Sequence, residues 1–182
     1  MIVAGVFGQS QAQGVSDLLN QKALTPEALA RQFANFTFEI SDKVQEPEVF
    51  LSRKRGDCAD FANLTSMILK HQGYTTKMVV VMMGKQTHVV CFVKEVGAFL
   101  DFNRRADAHP LTPSNGSLED IAAKVAASFR SDWHMASEFR YKAGGLPVYL
   151  DSVFPIDPGF TPVGAKSAAN EAGDGRMPKS SS

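Results

Sequence analysis

Cys58 directly follows Gly56-Asp57 and opens a helical pattern, which puts its sulfur at the first turn of a helix. Unpaired amide N–H groups and the positive end of the helix dipole meet there, and both favour a thiolate over a thiol. The same amides can receive the oxyanion formed on a carbonyl that the sulfur attacks. Asp57 and Asp60 act the other way, because nearby negative charge disfavours a thiolate. A strong base partner is therefore wanted. Taken alone, a cysteine so placed also fits as a small buried hydrophobe.

His88 is the first candidate base. Residues 87–93 alternate as a strand, so His88, Val90 and Phe92 share one face while Val89, Cys91 and Val93 share the other. Cys91 thus has the wrong parity to join a site built on His88 and is assigned to packing. Asp101 sits in the following strand between apolar neighbours, where a carboxylate needs a partner, and an imidazole on the adjacent strand would supply one. Turn geometry decides whether they meet. A turn centred between Lys94 and Glu95 sets them directly opposite, and one centred between Glu95 and Val96 makes them diagonal neighbours. A turn centred on Val96-Gly97 separates them by roughly 13 Å. A working pair therefore predicts a tight turn that starts before Gly97.

The elements that must hold these residues can be read from capping signals and period. Thr25-Pro26-Glu27 starts a helix with a hydroxyl cap, a first-turn proline and an acid, running through Leu29 and Phe33 to Phe36. Residues 36–40 alternate as a short strand, and 43–56 read as polar and irregular. Asp57 caps a second helix, with Asp60 in capping-box spacing and an apolar face of Phe61, Leu64 and Ile68, ending at Gly73. Strands are predicted over 77–83, 87–93 and 98–102. A third helix starts at Ser117, with Asp120 in capping-box spacing, and runs to Phe129; strands 133–141 and 148–153 follow. This order gives an α+β fold, with N-terminal helices packed on a mostly antiparallel sheet.

The 182 residues suit one compact domain, placed over 15–154. The balance of 19 Lys+Arg against 19 Asp+Glu argues against a nucleic-acid partner. Two cysteines make no disulfide scaffold. The longest apolar run, 78–83, is far short of the ~20 residues that cross a bilayer, so no integral membrane segment is expected. His71, His109 and His134 have no ligand spacing and read as surface or structural, so neither a metal nor another cofactor is called for. Residues 1–14 read either as the remnant of an export signal, with Ser10-Gln11-Ala12 in the form of a cleavage site, or as a disordered terminus. The first reading places the protein in the periplasm or outside the cell, the second allows the cytoplasm. Residues 155–182, rich in Pro, Gly and Ser, read as a disordered tail, laid in part over the domain near Phe154 and Phe160.

The run Arg55-Gly56-Asp57-Cys58-Ala59-Asp60-Phe61-Ala62, followed by Leu64, Gly73-Tyr74, His88 and Leu100-Asp101, resembles the transglutaminase-like superfamily of cysteine enzymes. The family pattern is a G-D-C-x-D-hydrophobic-A helix start, a strand histidine and a strand aspartate. The similarity reaches upstream to Phe36-Thr37-Phe38 and residues 47–51. It implies a papain-like triad of Cys58 as nucleophile, His88 as general base and acid, and Asp101 orienting the imidazole. The chain departs from the pattern in Val89-Val90, where many members carry a small residue and tryptophan. It also has no tryptophan upstream of Cys58 to act as second oxyanion donor. The Cys58 amide and a polar group near Thr37 or Ser52 are the candidates for that role.

A peptide or protein substrate is implied, through a thioester that water hydrolyses or an amine intercepts. The shared chemistry leaves peptidase or amidase and cross-linking transglutaminase both open. The short core resembles the bacterial thiol peptidases of the superfamily, which favours hydrolysis. The competing class is an inactive module in which Trp133, Phe139, Tyr141 and Tyr149 line a peptide groove.

Overall fold

The computed structural model of the protein describes residues 14–84, 86–142 and 144–155. But for Gly14 and Pro155, the N-terminal stretch 1–14 and the tail 155–182 lie outside the described residues, as does the expected contact of Phe160. Phe154 itself is exposed.

Two short helices open the chain, α1 (Val15–Asn20) and α2 (Pro26–Gln32). α1 was not expected: its buried Val15 and Leu18 are too few to show a period. α2 starts as its sequence dictates, with the Thr25 hydroxyl accepting the Ala28 N–H at 3.2 Å and Pro26 in the first turn. It stops short of the expected Phe36, because Arg105 takes the carbonyls of Phe33 and Phe36 that a longer helix would use differently.

The stretch expected to be irregular holds α3 (Pro47–Arg53), which opens on Pro47-Glu48 as α2 opens on Pro26-Glu27. It ends on Lys54 in the left-handed region, φ 50°. Two two-residue strands flank it, β1 (Thr37–Phe38) and β2 (Arg55–Gly56), paired in parallel with Thr37 opposite Arg55. Gly56 is tightly enclosed: a Cβ there would lie 2.4 Å from the Asp60 carboxylate and 2.7 Å from both Gln45 and Phe50.

α4 (Cys58–His71) forms as predicted. Asp57 accepts the N–H groups of Ala59 and Asp60 at 2.8 and 3.2 Å, and Asp60 returns the contact by accepting the Asp57 N–H at 3.0 Å. Six antiparallel strands then build the main sheet: β3 (Thr76–Met83), β4 (Gln86–Val93), β5 (Ala98–Leu100), β6 (Leu111–Pro113), β7 (Met135–Tyr141) and β8 (Pro147–Val153), in the order β6-β5-β4-β3-β7-β8. β5 is shorter than the predicted 98–102, since Asp101 caps a turn by accepting the Asn103 N–H. β6 was not foreseen.

The alternation of β3 and β4 divides the core. Met78, Val80, Val89 and Cys91 face α4, which the first three helices surround, with Phe33, Phe50, Phe61 and Phe102 in mutual ring contact. Val79, Val81, Val90 and Phe92 face α5 (Leu118–Phe129), whose Ile121, Ala122 and Val125 are buried against them. The sheet is thus covered on both faces, which the α+β reading had not specified. Ser117 caps α5 by accepting the Asp120 N–H at 3.1 Å. The Asp120 carboxylate does not complete a capping box; it accepts from Ser114, Asn115 and Lys124. No helix among the described residues is long and apolar enough to cross a membrane.

Candidate active site

The register of β4 against β5 pairs Cys91 with Leu100 and Phe92 with Phe99, and Lys94 to Val96 form the turn. The hairpin is therefore centred between Glu95 and Val96, the diagonal case, and Gly97 closes it at φ 57°. His88 and Asp101 lie on the same face, and His88 Nε2 is 2.8 Å from Asp101 Oδ1. Both side chains are almost fully buried, 4% and 3% exposed. The same Asp101 oxygen also accepts the Asn103 N–H at 2.8 Å. With Nε2–H committed to the carboxylate, Nδ1 is the nitrogen left for chemistry.

Cys58 begins the helix on the opposite face of the sheet, yet it shares a cleft with His88. β5 ends at Leu100, so the first residues of β4 have no strand beside them on that side. At this gap Cys58 and His88 open onto the same cleft. Burial, the largest single influence, favours the neutral ring. The hydrogen bond that the Asp101 carboxylate accepts, with its charge and a further contribution from Cys58, outweighs it and pushes the His88 pKa up to about 10. An imidazolium therefore persists at neutral pH.

An unfolded histidine titrates near about 6.5, so the fold holds this proton more tightly than the unfolded chain does. The stability that His88 contributes is complete below about pH 6.5 and is lost as pH rises through about 10. The urea midpoint should accordingly fall between about pH 7 and about pH 10, and His88→Gln should flatten that fall. A fall of equal steepness in the variant would assign the loss to other groups.

The surroundings fix the helix start. Asp60 is 2% exposed and accepts the backbone and side-chain N–H groups of Gln45 at 2.6 and 2.7 Å. Burial, then the Asp60 charge, raise the Asp57 pKa against the N–H groups of Asp60, Ala59 and Ser41. Tyr141 is pushed up to about 12, first by burial and then by Asp57, Cys58 and Asp60, so its hydroxyl keeps its proton. The Arg105 guanidinium stacks 3.9 Å over Phe102 and donates to the carbonyls of Phe33, Phe36 and Phe102. It ties the segment before β1 to the turn after Asp101.

The cleft has a volume of about 490 Å³. Besides Cys58 and His88 it is lined by Phe38, Ile40, Gln86, Thr87, Asn103 and Phe129, none of which the sequence had marked for the site. The pair Gln86-Thr87 was a usable signal, because two polar residues open an otherwise apolar strand just before His88. Phe129, at the end of α5, meets the His88 ring edge-on at 4.9 Å. The expected donors near Thr37 and Ser52 are not in the lining, and the Ser52 hydroxyl donates to the Val49 carbonyl. The Cys58 amide fits better: Asp57 caps the N–H groups of Ala59 and Asp60 and leaves that of Cys58 uncapped.

Cys91 is fully buried, and burial pushes its thiol up to about 12 despite Thr65, Lys70 and Ser66. His71, His109 and His134 are all exposed. Among the described residues no group of three or more His, Cys, Asp and Glu side chains is placed to hold a metal ion. The four aromatic residues read as a possible groove do not form one. Phe139, Tyr141 and Tyr149 cluster together, whereas Trp133 packs with the α5 side of the sheet.

A family profile described as the transglutaminase-like superfamily matches residues 9–149. Among solved structures, calcium-bound LapG of Legionella pneumophila is similar at 19% identity, covering 54% of this chain and 67% of that one with a TM-score of 0.41. Comparison with curated proteins finds none that matches.

Proposed function

The chain belongs to the transglutaminase-like superfamily, and on that footing we propose that it is a thiol enzyme hydrolysing amide or peptide bonds with Cys58, His88 and Asp101. The observation that carries this reading is the buried His88–Asp101 pair opening onto the same cleft as Cys58.

In this reading the Cys58 sulfur attacks as the thiolate, with the proton it needs to lose held on His88 Nδ1. The sulfur attacks the scissile carbonyl carbon, and the carbonyl electrons move to oxygen, where the Cys58 N–H receives the charge. His88 gives its Nδ1 proton to the leaving nitrogen as the C–N bond breaks, which leaves a thioester and a free amine. Nδ1 then takes a proton from water as the water oxygen attacks. Collapse of the second adduct expels the thiolate and releases the acid. Asp101 accepts Nε2–H throughout and keeps Nδ1 aimed at the reacting atoms.

Hydrolysis is preferred to amine transfer because the short core resembles the bacterial thiol peptidases of the superfamily. The test is to incubate an unstructured protein with the enzyme and monodansylcadaverine and to identify the products by mass spectrometry. Fragments that have gained one water, absent with Cys58→Ala, are expected. Cadaverine adducts as the main product would make it a transferase, and no Cys58-dependent product would overturn the enzyme reading.

A further inference from the structure

Phe38 and Ile40 stand in the cleft 51% and 78% exposed, two large apolar side chains held in water beside a nucleophile. Phe129 is half-buried at the His88 end, and the remaining lining groups, Gln86, Thr87 and Asn103, are neutral. Apart from the reacting pair, Cys58 and His88, the lining thus carries no charged group. A substrate Lys, Asp or Glu side chain seated on Phe38 and Ile40 would lose hydration with no charged partner beyond that reacting pair. A Leu, Phe or Met side chain would bury its own surface together with that of Phe38 and Ile40.

The backbone beside the cleft suits an extended peptide. Thr37 and Glu39 donate their N–H groups to the carbonyls of Lys54 and Gly56. In a parallel ladder this turns the main-chain groups of Phe38 to the opposite edge. Among the described residues β1 pairs with β2 alone, so that edge is open to a third strand.

Resting on Cys58 as nucleophile, we propose that the site selects extended peptides bearing a large apolar side chain within two residues of the scissile carbonyl, seated on Phe38 and Ile40. The occupant is the substrate itself, because the apolar wall is continuous with the reacting sulfur and its about 490 Å³ takes one or two residues.

Acetyl-dipeptidyl chloromethyl ketones carrying Leu-Leu, Gly-Gly, Asp-Asp or Lys-Lys test this, since sulfur displaces chloride from each at the same carbon. Each rate is divided by that of iodoacetamide on the same protein, which reads the sulfur alone. The Leu-Leu ratio should exceed the Asp-Asp and Lys-Lys ratios by roughly 10- to 100-fold. The double variant Phe38→Ser/Ile40→Ser, in which both replaced side chains are mostly in water already, should bring Leu-Leu to within about threefold of Gly-Gly. Charged probes reacting as fast as Leu-Leu, or a preference that survives the double variant, would overturn the proposal. If iodoacetamide leaves Cys58 unlabelled, the nucleophile reading fails first and this one with it.

Discussion

Replacing His88 with alanine should lower amide hydrolysis by roughly 10,000-fold. The substitution removes the proton that the leaving nitrogen needs, and it removes the cation that stands beside the sulfur. It also strips Asp101, 3% exposed, of its main partner and leaves only the Asn103 N–H on that oxygen. Some loss of stability is therefore expected with alanine. His88→Gln separates the two effects, because its amide can donate to Asp101 yet cannot carry a proton at neutral pH. A glutamine variant that unfolds near the native urea midpoint at pH above about 10, yet hydrolyses as poorly as alanine, is the expected result. Retention of more than about one-tenth of native kcat by a folded variant would remove His88 from the chemistry.

The second large effect is expected of Asp101→Asn, a drop in kcat of roughly 100- to 10,000-fold with KM little changed. The substitution preserves size, removes the negative charge and replaces one acceptor oxygen with a donor NH₂. Asp101 Oδ1 accepts from both His88 Nε2 and the Asn103 N–H. An asparagine that keeps its oxygen there still accepts from both, but the neutral amide no longer holds the second ring proton of His88 by its charge. The imidazolium that should protonate the leaving nitrogen is then lost at lower pH. Asp101 acts here through His88 and is a positioning residue. A merely structural carboxylate would change stability while leaving the pH profile of kcat in place, whereas this one should shift it.

Much of this geometry was legible in the sequence, for local reasons. The start of α4 was fixed by adjacent residues, Asp57 and Asp60 capping each other's backbone. The His88–Asp101 contact depended only on strand period and the place of one turn, and the structure shows the diagonal case, centred between Glu95 and Val96. What the sequence did not show is set by distant contacts. Asp101 ends β5 early by bonding Asn103, and that early end opens the gap at which Cys58 shares a cleft with a histidine of the far face. Strand parity alone would have set Cys58 on the side of Cys91, since both belong with α4. α3 was overlooked because its buried Phe50 and Leu51 are adjacent and give no helical stripe. The wall of Phe38 and Ile40 was invisible for a related reason: alternation marks a strand, not that its apolar side chains stand in a cleft.

The most direct measurement is the rate at which iodoacetamide alkylates Cys58 across about pH 5–9, followed by peptide mass spectrometry that separates Cys58 from buried Cys91. The account predicts labelling of Cys58 well below pH 8 in the native protein, and loss of that low-pH labelling in folded His88→Gln. Cys58 that stays unlabelled in the native protein, or labels at the same rate with His88 replaced, would contradict it.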